Sequence, residues 1–182
     1  MEPVMWQAEK WPGIEFFTLT SNEHYYIARG VINGCIKKQL FVVHYEIEIT
    51  QDWKVSSFHI KEDSVQHKEL KLTSDLHGHW FDKEGNHIPA FDECIDIDIS
   101  LTPFTNTLPI RRSPMETGEC KTFKMLYILL PEFELQKVEQ RYTRLGNRKY
   151  LYENTNNSFK AEIPVDENDI VEDYPGIFKR LP

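Results

Sequence analysis

Cys94–Arg112 reads CIDIDISLTPFTNTLPIRR, and its two halves follow different rules. Up to Leu101, the apolar Ile95, Ile97, Ile99 and Leu101 alternate with Asp96, Asp98, Ser100 and Thr102. That is the period of a β-strand, whose successive side chains point to opposite faces. After Leu101 the alternation stops. Pro103 and Pro109 cannot donate to a sheet ladder, and Pro109 biases Leu108 toward an extended backbone. Thr102, Thr105, Asn106 and Thr107 carry short side chains that bond nearby backbone in place of the lost ladder. The segment is therefore expected to be an ordered, non-repetitive corner that brings hydroxyls, an amide and the guanidinia of Arg111 and Arg112 together.

The same period of two recurs along the chain. Val43, Tyr45, Ile47 and Ile49 alternate with His44, Glu46 and Glu48. Shorter strand-like runs are Ile14–Leu19, Tyr25–Ile32, Trp53–Lys61, Glu69–Thr73, Phe123–Leu130, Lys149–Glu153, Phe159–Val165 and Ile170–Tyr174. Turn residues divide many of them, at Asn33-Gly34, Glu84-Gly85-Asn86, Leu145-Gly146-Asn147 and Asp166-Glu167-Asn168. Glu132–Tyr142 fits neither period cleanly and is assigned to strand from its neighbours. The expectation is an all-β chain: a single large antiparallel sheet curled into an open or half barrel, with residues 1–182 as one domain. Trp11-Pro12-Gly13-Ile14 and Tyr174-Pro175-Gly176-Ile177 leave open an internal duplication, with turn preference as the alternative.

Composition narrows the function. The net charge of −8 argues against nucleic acid or an anionic membrane as the general partner. The longest apolar stretch, Met125–Leu130, is far too short to span a bilayer. Cys35, Cys94 and Cys120 form no paired motif and suit a reducing compartment. With no basic-then-apolar leader visible near Met1, the expected location is cytoplasmic.

Two constellations suggest chemistry. On a strand, Asp75, His77 and His79 would share a face, with Glu84 beyond, as a divalent-metal set. The competing description is a polar strand end with solvated histidines, which is favoured, so no metal or cofactor is expected. Asp96 and Asp98, roughly 6–7 Å apart on one strand face, resemble the acid pair of a hydrolase. Their alternative role is a charged face paired with Arg111 or Arg112, which is again favoured. No nucleophile elbow or phosphate-binding glycine loop is present.

The Cys94–Arg112 run resembles the hallmark of the "putative glycolipid-binding" family. Further blocks agree in order: Trp11-Pro-Gly-Ile-Glu, Trp80-x-Asp82-x-x-Gly85, Gln140-x-Tyr142, Tyr150-Leu-Tyr152-Glu153 and Val171-x-Asp173-Tyr174-Pro175-Gly176-Ile177-Phe178. The resemblance implies an open antiparallel barrel similar to periplasmic lipoprotein carriers, with acyl chains inside the curved sheet. His77 and His79 lie outside the family pattern, and Glu93 stands where Gly is common. The expected function is non-enzymatic binding of a glycolipid or other amphiphile. Asp96, Asp98, Thr102, Thr105, Asn106, Thr107, Arg111 and Arg112 form the candidate site around its polar head. A protein-interaction domain, or less readily a hydrolase using Asp96 and Asp98 on a sugar or phosphoester, are the alternatives.

Overall fold

The computed structural model describes residues 1–182. Fourteen strands form two sheets. In the larger, β1 (Val4–Ala8), β2 (Gly13–Ser21), β3 (Tyr25–Ile36), β4 (Gln39–Thr50), β5 (Val55–Glu62), β6 (Glu69–Ser74) and β7 (Trp80–Phe81) follow one another as an antiparallel meander. The C-terminal β13 (Asp173–Tyr174) and β14 (Phe178–Arg180) extend it beyond β1. The smaller sheet runs β12 (Lys160–Pro164), β11 (Lys149–Asn154), β10 (Glu134–Gly146), β9 (Cys120–Leu129) and β8 (Asp96–Ile99). The sheets curl without closing into a barrel. Glu134–Gly146 is a strand, as assigned from its neighbours.

Alternation predicts β4 well. Phe41, Val43, Tyr45, Ile47 and Ile49 are buried, while His44, Glu46 and Glu48 are less so. The inward side chains join Trp6, Phe17, Phe58, Trp80, Ile97 and Phe104 in one large hydrophobic cluster that fills the space enclosed by the sheets. Each such side chain contributes about 1.5–3 kcal/mol by leaving water. Because the protein's own rings fill that interior, acyl chains have no continuous cavity there, contrary to the expectation drawn from the lipoprotein carriers.

β8 departs from the simple alternation. Asp96, Ile97 and Ile99 are all buried, and Asp98 is part-buried. This strand is covered on both faces, so its acids do not mark a solvent side. It also pairs parallel with β9, the one parallel pair among the named strands. Parallel neighbours need a long crossover, usually helical, and residues 100–119 provide it. The segment expected to be non-repetitive is therefore helical: a 3-10 turn at Phe104–Asn106 runs into α1 (Thr107–Arg112). Pro109 sits in the first turn of α1, where its missing N–H has no helical acceptor to lose. That placement overrides the extended bias on Leu108.

Other departures have packing causes. Asn33-Gly34 lies inside β3, and the turn falls instead at Lys37 and Lys38, both with positive φ, as a two-residue hairpin requires. Gly34 pairs across the ladder with Gly13, and the Trp11 ring lies over both. A Cβ at Gly34 or Gly13 would overlap it, at 2.5 Å and 1.8 Å respectively. The two aromatic-Pro-Gly-Ile segments come close together and differ in backbone. Trp11 stands 6.4 Å from Phe178, edge to face, and Gly176 alone of the two glycines has positive φ. Glu93 has a φ of 70°, a left-handed position that explains why Gly suits it. Its carboxylate is held by Lys124 and Lys137.

Gly30 on β3 clears a path for the Tyr45 ring, which crosses from β4 to reach Glu15 on β2. A Cβ at Gly30 would lie 2.1 Å from that ring. Gly30→Ala should therefore cost about 1–3 kcal/mol by overpacking. Denaturant melts should show a smaller cost when the same change is made in a Tyr45→Ala background, which removes the clash.

Candidate functional site

The crossover and the end of β8 line a cleft of about 330 Å³. Its walls come from one face of the smaller sheet, from the crossover and from the C-terminal strands. Tyr127 of β9, Gln136 and Val138 of β10, and Tyr152 and Asn154 of β11 share a face by the period of two. Asn156, Asn157 and Phe159 overhang from the turn before β12, and Tyr174, Ile177 and Phe178 close the far side. Tyr152, Phe159 and Tyr174 form a cluster with centroids 5.7–6.1 Å apart. No Lys or Arg lines this cleft.

Asp98 sits at its base. Thr105 Oγ1 donates to Oδ1 at 3.0 Å and Gln140 Nε2 to Oδ2 at 2.6 Å. Burial raises the Asp98 pKa above the usual carboxylate range, against the opposing effect of Gln140 and Thr105. The group lies deep among protein atoms yet keeps an opening to the cleft. Behind it, Tyr142 Oη donates to Asn106 Oδ1 at 2.8 Å and lies 3.3 Å from Gln140 Oε1. Asn106 Nδ2 in turn donates to the Pro103 carbonyl at 3.0 Å. Asp98, Thr105, Gln140, Tyr142 and Asn106 thus form one connected network, whose members fix each other's orientation.

Among the residues singled out from sequence, Asp98, Thr102 and Asn106 line the cleft. Thr105 supports Asp98 from behind. The other four fasten the crossover to its surroundings. Arg112 grips Asp96 bidentately, Nε to Oδ1 at 3.0 Å and Nη2 to Oδ2 at 2.6 Å, with only 1% of the Asp96 side chain exposed. Burial opposes the charge on Arg112, but Asp96 outweighs it and raises the guanidinium pKa. Arg111 turns the other way. It donates to the Asn168 carbonyl at 2.9 Å, stands 3.6 Å from Asp169 and stacks over Trp53, 4.4 Å from the ring centroid. Thr107, one turn earlier, donates to the Asp169 carbonyl at 2.8 Å. The two acids and two arginines are therefore not one charged unit.

The aromatic and amide residues of the cleft are absent from the set singled out by sequence. Their signal is nonetheless there, as Tyr127, Gln136, Tyr152 and Asn154 on alternating positions of three consecutive strands. Tyr152 and Tyr174 also fall inside blocks that carry the family resemblance.

The histidine constellation is a turn rather than a strand face. Asp75 Oδ1 accepts the backbone N–H groups of His77 and His79, and Oδ2 stands 2.7 Å from His79 Nδ1. This pairing raises the His79 pKa. His87 pairs with Asp92 at 2.6 Å. No group of three or more His, Cys, Asp or Glu side chains is gathered for a metal.

A second polar cluster lies beneath the cleft. Tyr45 Oη donates to Glu15 Oε1 at 2.6 Å and stands 3.3 Å from Thr102 Oγ1, while Glu15 Oε2 is buried without a partner. Burial raises the Glu15 pKa to about 8, against the hydrogen bonds of Tyr45 and Thr102. Below pH 8 this carboxyl holds a proton in the native chain.

Two stability measurements follow from these groups. Arg112→Met should cost about 3–5 kcal/mol in urea unfolding, because Asp96 is left buried and unpaired, and Asp96→Leu in the same chain should recover part of that loss. Unfolded Glu15 loses its proton near pH 4.5, so it draws stability from the native state as pH rises from there to about 8. Glu15→Gln removes that loss. The variant should match the parent near pH 4 and exceed it by about 2–5 kcal/mol near pH 9.

The chain is similar to a solved structure, a DUF1089 family protein from Pseudomonas aeruginosa. The two share 37% identity over 92% of each chain, with a TM-score of 0.82. A search of curated proteins finds no match. The sequence matches the family described as "Putative glycolipid-binding" over residues 3–180, nearly end to end. The chain belongs to that "Putative glycolipid-binding" family.

Proposed function

We propose that this chain is a non-enzymatic binding protein whose cleft takes the polyhydroxylated, non-anionic headgroup of an amphiphile. The observation that carries this is the cleft wall. Aromatic rings, several amides and one carboxylate line it, and no basic side chain does. Aromatic faces stack on the apolar side of a sugar ring, while amides and a carboxylate bond its hydroxyls. A phosphate or acidic sugar would need a cation, and Arg111 and Arg112 are engaged elsewhere.

Size agrees with a headgroup. The cleft volume of about 330 Å³ falls at the small end of ligand sites. An acyl chain would lie outside it, because the interior is filled. The family description adds the glycolipid class as the natural candidate. A two-acid hydrolase is less well supported, since Asp96 is sealed by Arg112 while Asp98 alone meets the cleft. The three unpaired cysteines support a cytoplasmic setting. No helix is long and apolar enough to cross a membrane.

Calorimetric titration with alkyl glycosides, alkyl phosphates and plain fatty acids tests this. Glycosides should bind and the two anionic series should not. Tyr127→Ala should weaken glycoside binding roughly tenfold, the worth of one stacking contact. Equal binding of alkyl phosphates, or no heat from any glycoside, would sink the proposal.

A further inference from the structure

The buried carboxylates of this chain meet a cation, a nest of backbone donors or a retained proton, and Glu15 and Asp98 are the two left with open acceptor sites. Asp96 faces Arg112. Asp166 faces Arg180 at 2.6 Å. Glu62 accepts the backbone N–H groups of Ser64, Val65, Gln66 and His67 at 2.6–3.1 Å. Glu15 keeps its proton up to pH 8. Asp98 has neither a cation nor a nest of backbone donors. Its two contacts, Thr105 and Gln140, are neutral, and they take one site on each oxygen. A carboxylate has about four acceptor sites, so both oxygens retain capacity, and the cleft is where the group opens.

The surroundings favour a cation at that place. Tyr127 stands beside Asp98 in the β8–β9 register. Tyr152, Phe159 and Tyr174 line the same cleft, and aromatic rings attract positive charge to their faces. Lys10 lies over Phe159 at 5.4 Å from its centroid and makes no ion pair with Asp98. The whole chain carries −8, which draws cationic ligands and repels anionic ones.

We propose that the ligand carries a protonated amine, as an amino sugar or aminoalkyl headgroup does, and that this ammonium docks on Asp98 among the tyrosine faces. The inference rests on the cleft being the binding site, and it names what that site selects. An ammonium brings three donors. One meets each free Asp98 acceptor, which leaves a third for another acceptor of the cleft or for water. A hydroxyl in the same place meets Asp98 as a neutral partner, whereas an ammonium favours the ionised carboxylate against the burial that raises its pKa and supplies the counterion the acid lacks.

The test is calorimetric titration at neutral pH with three shape-matched ligands: an octyl glucoside, its 2-amino analogue and its 2-acetamido analogue. The amine is expected to bind roughly tenfold or more tighter than either neutral ligand. Asp98→Asn keeps a hydrogen-bond acceptor and removes the charge. It should abolish the advantage of the amine, the ratio of amine to octyl glucoside affinity within the variant falling to about one. Should Asp98→Asn fail to fold by thermal melting, the salt dependence of the parent decides: the advantage of the amine must shrink from low to high salt. If all three ligands bind equally, the amine inference is overturned and headgroup binding survives. If none binds, the cleft is not a headgroup site, and both proposals fall together.

Discussion

The bidentate Arg112–Asp96 contact ties the end of α1 to the start of β8, and much of the molecule depends on that closure. β8 can run parallel to β9 only because residues 100–119 carry the chain back to the other end of the sheet. That return path passes between the sheets. It must satisfy the backbone polar groups of a non-sheet segment inside the protein. Helical turns do most of this internally, Thr102 caps the N–H of Phe104, and Thr105 Oγ1 accepts the N–H of Ile99. The ion pair then locks the far end. An isolated buried acid here would be costly, and the pairing turns that cost into a fixed register.

With the crossover in place, its two sides do different work. Leu101, Phe104 and Leu108 enter the main hydrophobic cluster, where Phe104 lies 4.4 Å from Phe17. Thr102 and Asn106 turn toward the cleft, and Thr105 supports Asp98. Thr107 and Arg111 reach outward to hold the loop at Asn168 and Asp169. A single helical segment therefore builds the core, positions the cleft acid and anchors the C-terminal loop. Small residues elsewhere serve the same end by subtraction. Gly13 and Gly34 admit the Trp11 ring, and Gly30 admits Tyr45, whose hydroxyl donates to Glu15 Oε1 below the cleft.

Residues that obey strictly local rules are legible in the amino-acid sequence. The alternation of β4 marks the inward face correctly, because a half-buried strand has only one way to hide Phe41, Val43, Tyr45, Ile47 and Ile49. Tyr45 and Glu15 show the limit of such rules. Tyr45 is read correctly as inward, but nothing local says that its hydroxyl ends on Glu15 across β3. The His77 and His79 pair fails for a related reason. Period-two reasoning holds only inside a strand, and Asp75 captures the local N–H groups into a turn first.

By itself the sequence determined the all-β class, most of the strands, the importance of Leu101–Arg112 and the membership of its family. These rest on period, turn chemistry and motif, which are properties of neighbours along the chain. Only the tertiary structure decided that Leu101–Arg112 is helical, that β8 is buried on both faces, and that Asp96 and Asp98 part company. Two acids on the same strand face have the same local pattern. Arg112 lies close enough to neutralise the first, while Gln140 and Tyr127, from strands later in the chain, set the second at the base of a cleft. The partner of a buried charge is chosen by packing in three dimensions, and spacing along one strand carries no record of it.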